Sequence, residues 1–332
     1  MTTEHPFAQY VRILGKGRKG AKSLTQTEAY EAMRMILADE ALPVQIGAFL
    51  MLIRVREETA EETAGFVLAA KATLERPPSH FSVDLDWASY AGKRRQLPWF
   101  LLSALLLAAN GVRVFLHHIV AREDGRVYTE TALAALGIAP CTTLASAGAT
   151  IERCGFAAMA LDAVAPKIHQ LIDLRDALGL RSPINTVARL LNPFEAKVAI
   201  HGIFHPAYKD IHRDAAVLLG QPHMSVFKGE GGEAERNPDG VCVETTVRAG
   251  VVSEDEWPAI FDSRHLRDEA MDVSRLGAFW RREFEDEYAE ATVIGTAAIA
   301  LRALGRASTK ADAQQLAQDL WRARDTHWRR AA

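Results

Sequence analysis

Two short runs of cations stand out in this chain of 332 residues. The first lies within Gly15-Lys-Gly-Arg-Lys-Gly20, flanked by Arg12 and Lys22 and free of acids. The second is Ala91-Gly-Lys-Arg-Arg95, directly after Ser89-Tyr90. Glycines let backbone N–H groups approach an anion, and Lys and Arg add charge, so both runs have the composition of a phosphate contact. A solvated loop of like charge is the competing reading of each. The first run also spells G-x-G-x-x-G, but a dinucleotide turn needs a strand before it and a helix on its third glycine. Phe7–Leu14 has helical character and the next helix opens only at Thr25, so that context fails. The second run follows an apolar segment with strand character and precedes a helix, the strand-end position where α/β sheets place ligands. Tyr90 offers a stacking surface there. The candidate phosphate contacts are Lys16, Arg18, Lys19 and Lys22 in the first run, and Lys93, Arg94 and Arg95 in the second.

Other reactive side chains form weaker patterns. His201 and His205 have i, i+4 spacing, yet Gly202 and Pro206 argue against a continuous helix, and no third ligand has zinc-like spacing. The stretch Lys228-Gly-Glu-Gly-Gly-Glu-Ala-Glu235 sets three acids among glycines, which reads as a flexible acidic loop or, less directly, as carboxylates for magnesium. No serine stands in G-x-S-x-G. Cys141, Cys154 and Cys242 are odd in number and far apart, which argues against a disulfide framework, and Ala/Gly-rich surroundings suggest that the first two are buried.

The elements that must carry these residues follow from composition and periodicity. With 48% hydrophobic and 24% charged residues the chain is globular rather than disordered. A formal net charge of −3 excludes a uniformly basic protein but leaves room for a local basic patch. The N-terminus has no continuous apolar run, so no signal peptide is expected. The uncharged stretch from Gln96 to Val112 contains Pro98, Asn110 and Gly111 and predicts a buried helix, not a membrane span. A cytoplasmic protein without membrane attachment is the expectation. Thr25-Gln-Thr-Glu28 and Thr59-Ala-Glu-Glu62 are capping boxes and Pro43 opens a helix between them, so residues 1–76 read as a helical domain ended by Pro77-Pro78. From residue 80 onward, strands are expected at Phe81–Leu85, Gly111–Phe115, Phe156–Leu161, Lys197–Gly202, Met224–Phe227 and Val241–Val247. Helices are expected between several of them, at Pro98–Ala109, Tyr128–Leu136, Pro166–Leu178 and Pro206–Leu219. That alternation predicts an α/β domain over 80–332 with a mainly parallel central sheet.

Across most of its length the sequence resembles the anthranilate phosphoribosyltransferases. Ile46–Arg54 followed by Glu57, Thr59 and Glu61–Ala69 matches their opening helices. Gly111–Phe115 followed by His117 is similar to a family strand that ends in Lys-His-Gly-Asn-Arg. Ala165-Pro-Lys167, Arg175, Arg181, Asn185 and Leu191-Asn-Pro193 follow the central signature. The resemblance implies a fold of the nucleoside phosphorylase/phosphoribosyltransferase type. It also implies that helices from about 165–190 join the small domain, and that this domain forms a homodimer. Where the family has a Gly-Thr-Gly-Gly-Asp pyrophosphate loop, this chain has Tyr90–Arg95, with Gly92 alone retained. The Asp-Glu metal pair falls at Gly232-Glu233, leaving one carboxylate. Gly92, His117, Arg175, Asn185 and Glu233 thus remain as a remnant substrate pocket.

The turn at Ser89, Tyr90, Gly92 and Arg94 is similar to that of the YbiB group of TrpD-like proteins. That resemblance implies a homodimer that binds DNA or RNA without sequence preference, with no catalytic residue, metal or cofactor. The alternative is a glycosyl or phosphoribosyl transferase using phosphoribosyl pyrophosphate and magnesium. A binder of a small anionic metabolite in the same cleft is a third possibility.

Overall fold

The computed structural model of the chain describes residues 4–17, 19–121 and 123–327. It opens with four helices, α1 (Ala8–Gly15), α2 (Gln26–Leu37), α3 (Pro43–Arg56) and α4 (Ala60–Lys71). Both sequence-marked capping boxes form. Thr25 Oγ1 accepts the Glu28 N–H at 3.2 Å and Glu28 accepts the Thr25 N–H at 2.8 Å. Thr59 and Glu62 repeat the exchange at 3.2 and 2.9 Å. Each such cap contributes about 0.5–2 kcal/mol to its helix. Pro43 sits at the start of α3, where its missing N–H costs nothing.

The larger part follows as β1 (Leu85–Ser89), α5 (Phe100–Ala109), β2 (Val114–His118), α6 (Thr129–Ala135), α7 (Leu144–Cys154), β3 (Phe156–Ala160), α8 (Leu161–Val164), α9 (Pro166–Leu178), α10 (Ile184–Arg189), β4 (Val198–Ile203), α11 (Tyr208–Leu218), β5 (His223–Lys228), β6 (Cys242–Arg248), β7 (Val251–Trp257), α12 (Ser274–Trp280), α13 (Glu287–Ala303) and α14 (Lys310–Ala323). The sheet runs in the order β3-β2-β1-β4-β5-β6-β7. Its first five strands are parallel, and β6 and β7 close it antiparallel. The chain is therefore an N-terminal helical bundle followed by an α/β domain with a mostly parallel seven-stranded sheet.

Three details differ from the sequence expectations. The first two strands begin at Leu85 and Val114, later than expected, because their apolar lead-ins are approach segments; all five residues of each strand are buried. Strand β7 was not anticipated: Ser253-Glu-Asp-Glu256 is too acidic to read as a strand, yet an edge strand leaves such side chains in water. Cys141 and Cys154 are only partly buried; the Cys154 thiol donates to the Thr150 carbonyl at 3.1 Å. The uncharged stretch after Gln96 does become a buried helix, α5, with every residue from Phe100 to Ala108 inside. Among the described residues no helix is long and apolar enough to cross a membrane.

The N-terminal helices do not pack alone. Ile168, Leu171 and Ile172 of α9 and Ile184 and Val187 of α10 share one apolar cluster with Leu37, Phe49 and Phe66. Arg54 of α3 donates to the Tyr208 hydroxyl of α11 at 2.6 Å. A cleft is thereby formed where the bundle faces the C-terminal ends of the parallel strands.

Three histidines lie buried in the fold, His201 and His212 against each other and His118 at the end of β2, and they carry a pH signature. Burial holds His118 down at about 4 and His212 at about 3. It lowers His201 well below 6.5, with His212 acting in the same sense. These rings stay neutral in the fold but take up protons in the unfolded chain below about 6.5. The stability they contribute is present above that value and is lost as pH falls through the lowered range. Melting temperature is expected to drop between pH 7 and 4, and His118→Gln should flatten part of the drop. An identical pH profile in that variant would show that the ring is not held neutral by the fold.

Candidate anion-binding cleft

The turn after β1 organises the site. Gly92 has φ +68°, a backbone conformation that favours glycine, and a Cβ there would lie 3.0 Å from the Tyr128 ring, a tight contact. The Ala91 and Gly92 N–H groups both donate to Glu233 Oε1 at 2.7 Å. From the other side Arg126 donates to the Ala91 and Gly92 carbonyls at 2.9 and 3.2 Å. The turn has the paired amides of an anion cradle, and a carboxylate of the chain occupies them. Glu233 is buried, and its Oε2 has no hydrogen-bond partner among the described residues. Its backbone is fixed by close approach to β4, since a Cβ on Gly202 would stand 2.0 Å from the Glu233 carbonyl carbon.

Lys93 departs most from the sequence reading, which took it for an exposed phosphate contact. Its side chain is 0% exposed and ion-paired with Glu230 and Glu235. Burial works against its charge, but the two carboxylates outweigh that and raise its pKa. Burial pushes the Glu235 carboxyl up to about 7, with Lys93 opposing. Glu235 also accepts the Phe100 N–H at 2.8 Å, at the N-terminus of α5, where a carboxylate is favoured. The glycine-rich acidic segment is thus not a loose solvated loop. It turns Glu233 and Glu235 inward against the β1–α5 turn.

Arg94 and Arg95 stay at the surface. With Arg126, Lys228 and Arg264 they line a cavity of about 620 Å³ whose lining includes one carboxylate, Glu230. A smaller cavity of about 150 Å³ adjoins it through Phe204 and His205 and is lined by Arg54, Arg181, Asn185 and Arg189. Arg175 reaches Glu123, together with Arg94, Arg126 and Arg181. Burial would raise the Glu123 carboxyl, but hydrogen bonds from Arg175 and Arg126 hold it at about 2.

The remaining sequence candidates separate. His117 is buried, with Nδ1 2.6 Å from the Tyr90 hydroxyl and Nε2 3.1 Å from Asp86. It supports the turn from beneath and does not line either cavity. Tyr90 is 4% exposed, with Arg189 over its ring at 5.6 Å, so it presents no stacking face. Lys16, Lys19 and Lys22 are exposed between α1 and α2 and line neither cavity; Arg18 lies outside the described residues. Sequence reasoning missed Arg126, Lys228, Arg264 and Glu123 as site residues. Glu123 and Arg126 stand in the mixed-charge run Arg122-Glu-Asp-Gly-Arg126 and Lys228 opens the acidic stretch, so none lies in a run of like charge, and the fold gathers them. His201 is buried in β4 against His212, and among the described residues no three His, Cys, Asp or Glu side chains cluster as metal ligands.

A helical bundle set on a mostly parallel sheet, with a cationic cleft at the strand ends, is the architecture of a phosphoribosyltransferase-type protein. Residues 9–73 match the helical bundle domain of a glycosyl transferase family. The anthranilate phosphoribosyltransferase of Desulforudis audaxviator is 31% identical over 264 residues, covering 77% of this chain and 73% of that protein. The uncharacterized protein YbiB of Escherichia coli K12 is 27% identical over 206 residues, 61% of this chain and 64% of that one. The crystal structure of Thermus thermophilus anthranilate phosphoribosyltransferase superposes with a TM-score of 0.78 at 23% identity, covering 94% of each chain. The chain belongs to the anthranilate phosphoribosyltransferase family.

Proposed function

We propose that the cleft binds nucleic acid through its phosphate backbone. The observation that carries this reading is the cavity lined by Arg94, Arg95, Arg126, Lys228 and Arg264, with Glu230 the one carboxylate in its lining. Arg94 and Arg126 also pair with Glu123, and among the described residues Arg95, Lys228 and Arg264 are the cations of this lining left for a ligand. Cations in an open groove release condensed counterions when they meet phosphates, which supplies affinity without base readout. The buried Tyr90 removes the stacking contribution, so charge carries the binding. The reading is completed by a homodimer working in the cytoplasm, in which two clefts on one particle would gain avidity. Val44 and Val55, 75% and 81% exposed on α3, are apolar surface that such an interface would cover.

Phosphoribosyl transfer is the second reading, and membership of the family favours it, as do the retained Arg175 and Asn185. Phosphoribosyl pyrophosphate and magnesium fit the turn poorly. Glu233 fills the two amides that a pyrophosphate would use, and Glu235 is committed to Lys93 and the Phe100 N–H. One pair of measurements separates the readings. Fluorescence anisotropy with unrelated DNA and RNA oligonucleotides is expected to show binding of similar strength that weakens steeply with salt. Incubation with anthranilate, phosphoribosyl pyrophosphate and magnesium is expected to leave anthranilate fluorescence unchanged. Protein-dependent loss of that fluorescence, without oligonucleotide binding, would decide for the transferase.

A further inference from the structure

Four guanidinium groups converge on one carboxylate at the edge of the cleft. Arg94 Nη2 and Arg126 Nε each lie 2.8 Å from Glu123 Oε2. Arg175 contacts Oε1, and Arg181 Nη2 lies 3.2 Å from the same oxygen. The four come from separate places in the fold: the turn after β1, the segment after β2, the last turn of α9 and the residues just beyond it. Formally the cluster carries four positive charges and one negative. Without Glu123 the guanidiniums would repel one another; with it they remain under-neutralised. Arg94 is 56% and Arg181 41% exposed in the side chain, so a ligand has access.

We propose that Glu123 is a resident counter-anion in a phosphate seat formed by Arg94, Arg126, Arg175 and Arg181, and that a phosphate group of the ligand displaces it. A carboxylate offers two oxygens to four forks. A terminal or inorganic phosphate offers three or more free oxygens in a tetrahedral array and up to twice the charge, which suits several guanidiniums better. A backbone diester, with two free oxygens and one charge, matches the carboxylate only one for one, so the seat favours a strand's terminal phosphate. The tethered carboxylate keeps the four side chains in place while the seat is free, so less ordering is left for the ligand to impose. It also sets a threshold, because a weakly charged ligand cannot compete with it. Only the identity of the natural ligand rests on the nucleic-acid reading; the seat itself is tested with inorganic phosphate.

The experiment is a calorimetric titration of the full chain with inorganic phosphate at constant ionic strength, for the parent, Glu123→Gln and Glu123→Gln/Arg175→Ala. Glu123→Gln keeps the shape and removes the competing charge, so phosphate should bind at least tenfold more tightly than to the parent. The added Arg175→Ala should abolish that gain. A folded Glu123→Gln that binds phosphate no better than the parent overturns the proposal and leaves Glu123 as a latch between segments. If Glu123→Gln does not fold, Arg175→Ala/Arg181→Ala in the parent background decides: lost phosphate binding supports the seat, and unchanged binding overturns it. A phosphate gain in Glu123→Gln without any oligonucleotide binding would uphold the seat while removing the nucleic-acid reading. Oligonucleotide binding without a phosphate gain would do the reverse.

Discussion

Lys93→Met is expected to cost about 3–5 kcal/mol of folding stability, the range for removing one partner of a buried ion pair. The side chain is 0% exposed, and its ammonium is the cation against Glu230 and Glu235. Methionine fills much of the same volume, so the loss comes from carboxylates left without their counter-charge rather than from a cavity. Glu235 cannot turn away, because it also accepts the Phe100 N–H. Its relief is to take up a proton, which its pKa of about 7 makes easier as pH falls, so the cost should be largest above pH 7. Glu235→Gln added to Lys93→Met removes the fully buried one of the two stranded charges, leaving only Glu230, which reaches solvent, and keeps an acceptor for that N–H. The double variant should therefore recover most of the lost stability. Urea denaturation of the parent and both variants reads the effect directly. A Lys93→Met protein as stable as the parent would return Lys93 to the surface, as its place in a Lys-Arg-Arg run first suggested.

That contrast marks how far the sequence reaches. Helix starts were legible because their causes are local: Thr25 and Glu28 sit three residues apart, as do Thr59 and Glu62, and the cap follows from that spacing. The parallel strands were legible as apolar runs, although their edges slid by a few residues where an apolar approach segment continues the run. The acidic edge strand β7 was not, since an edge strand exposed from Val251 to Glu254 imposes no alternation. The turn after β1 was correctly placed at the strand ends, but the direction of each of its side chains was not written in the run. Lys93 turns inward because Glu230 and Glu235, about 140 residues away in sequence, meet it there. The resemblance pointed to Glu233 as a remnant carboxylate, yet its seat on the Ala91 and Gly92 amides is a tertiary contact between distant segments. Arg126, Lys228 and Arg264 lie outside the runs of like charge, and the fold makes them neighbours.

Arg95, Lys228 and Arg264 changed together to alanine are expected to flatten the salt dependence of oligonucleotide binding. All three line the larger cavity, and none is ion-paired among the described residues, so their charge is available to a ligand. Lys93 is left intact to avoid destabilising the turn, and Arg94 and Arg126 to keep the Glu123 cluster whole. Each phosphate neutralised contributes roughly −0.9 to the slope of log affinity against log salt on duplex DNA. Loss of three contacts should reduce the slope by about 2–3 per protomer engaged and weaken binding by roughly two to three orders of magnitude at 0.1 M salt. The effect should be similar for unrelated sequences, because phosphate contacts carry no base information. Exposed cations contribute little to stability, so melting should stay close to that of the parent. Lys16, Lys19 and Lys22 changed together supply the comparison. They lie outside both cavities and should produce a smaller change in slope. If that variant flattens the slope and the cleft variant does not, the ligand lies on the loop between α1 and α2, and the cavity at the strand ends is not its site.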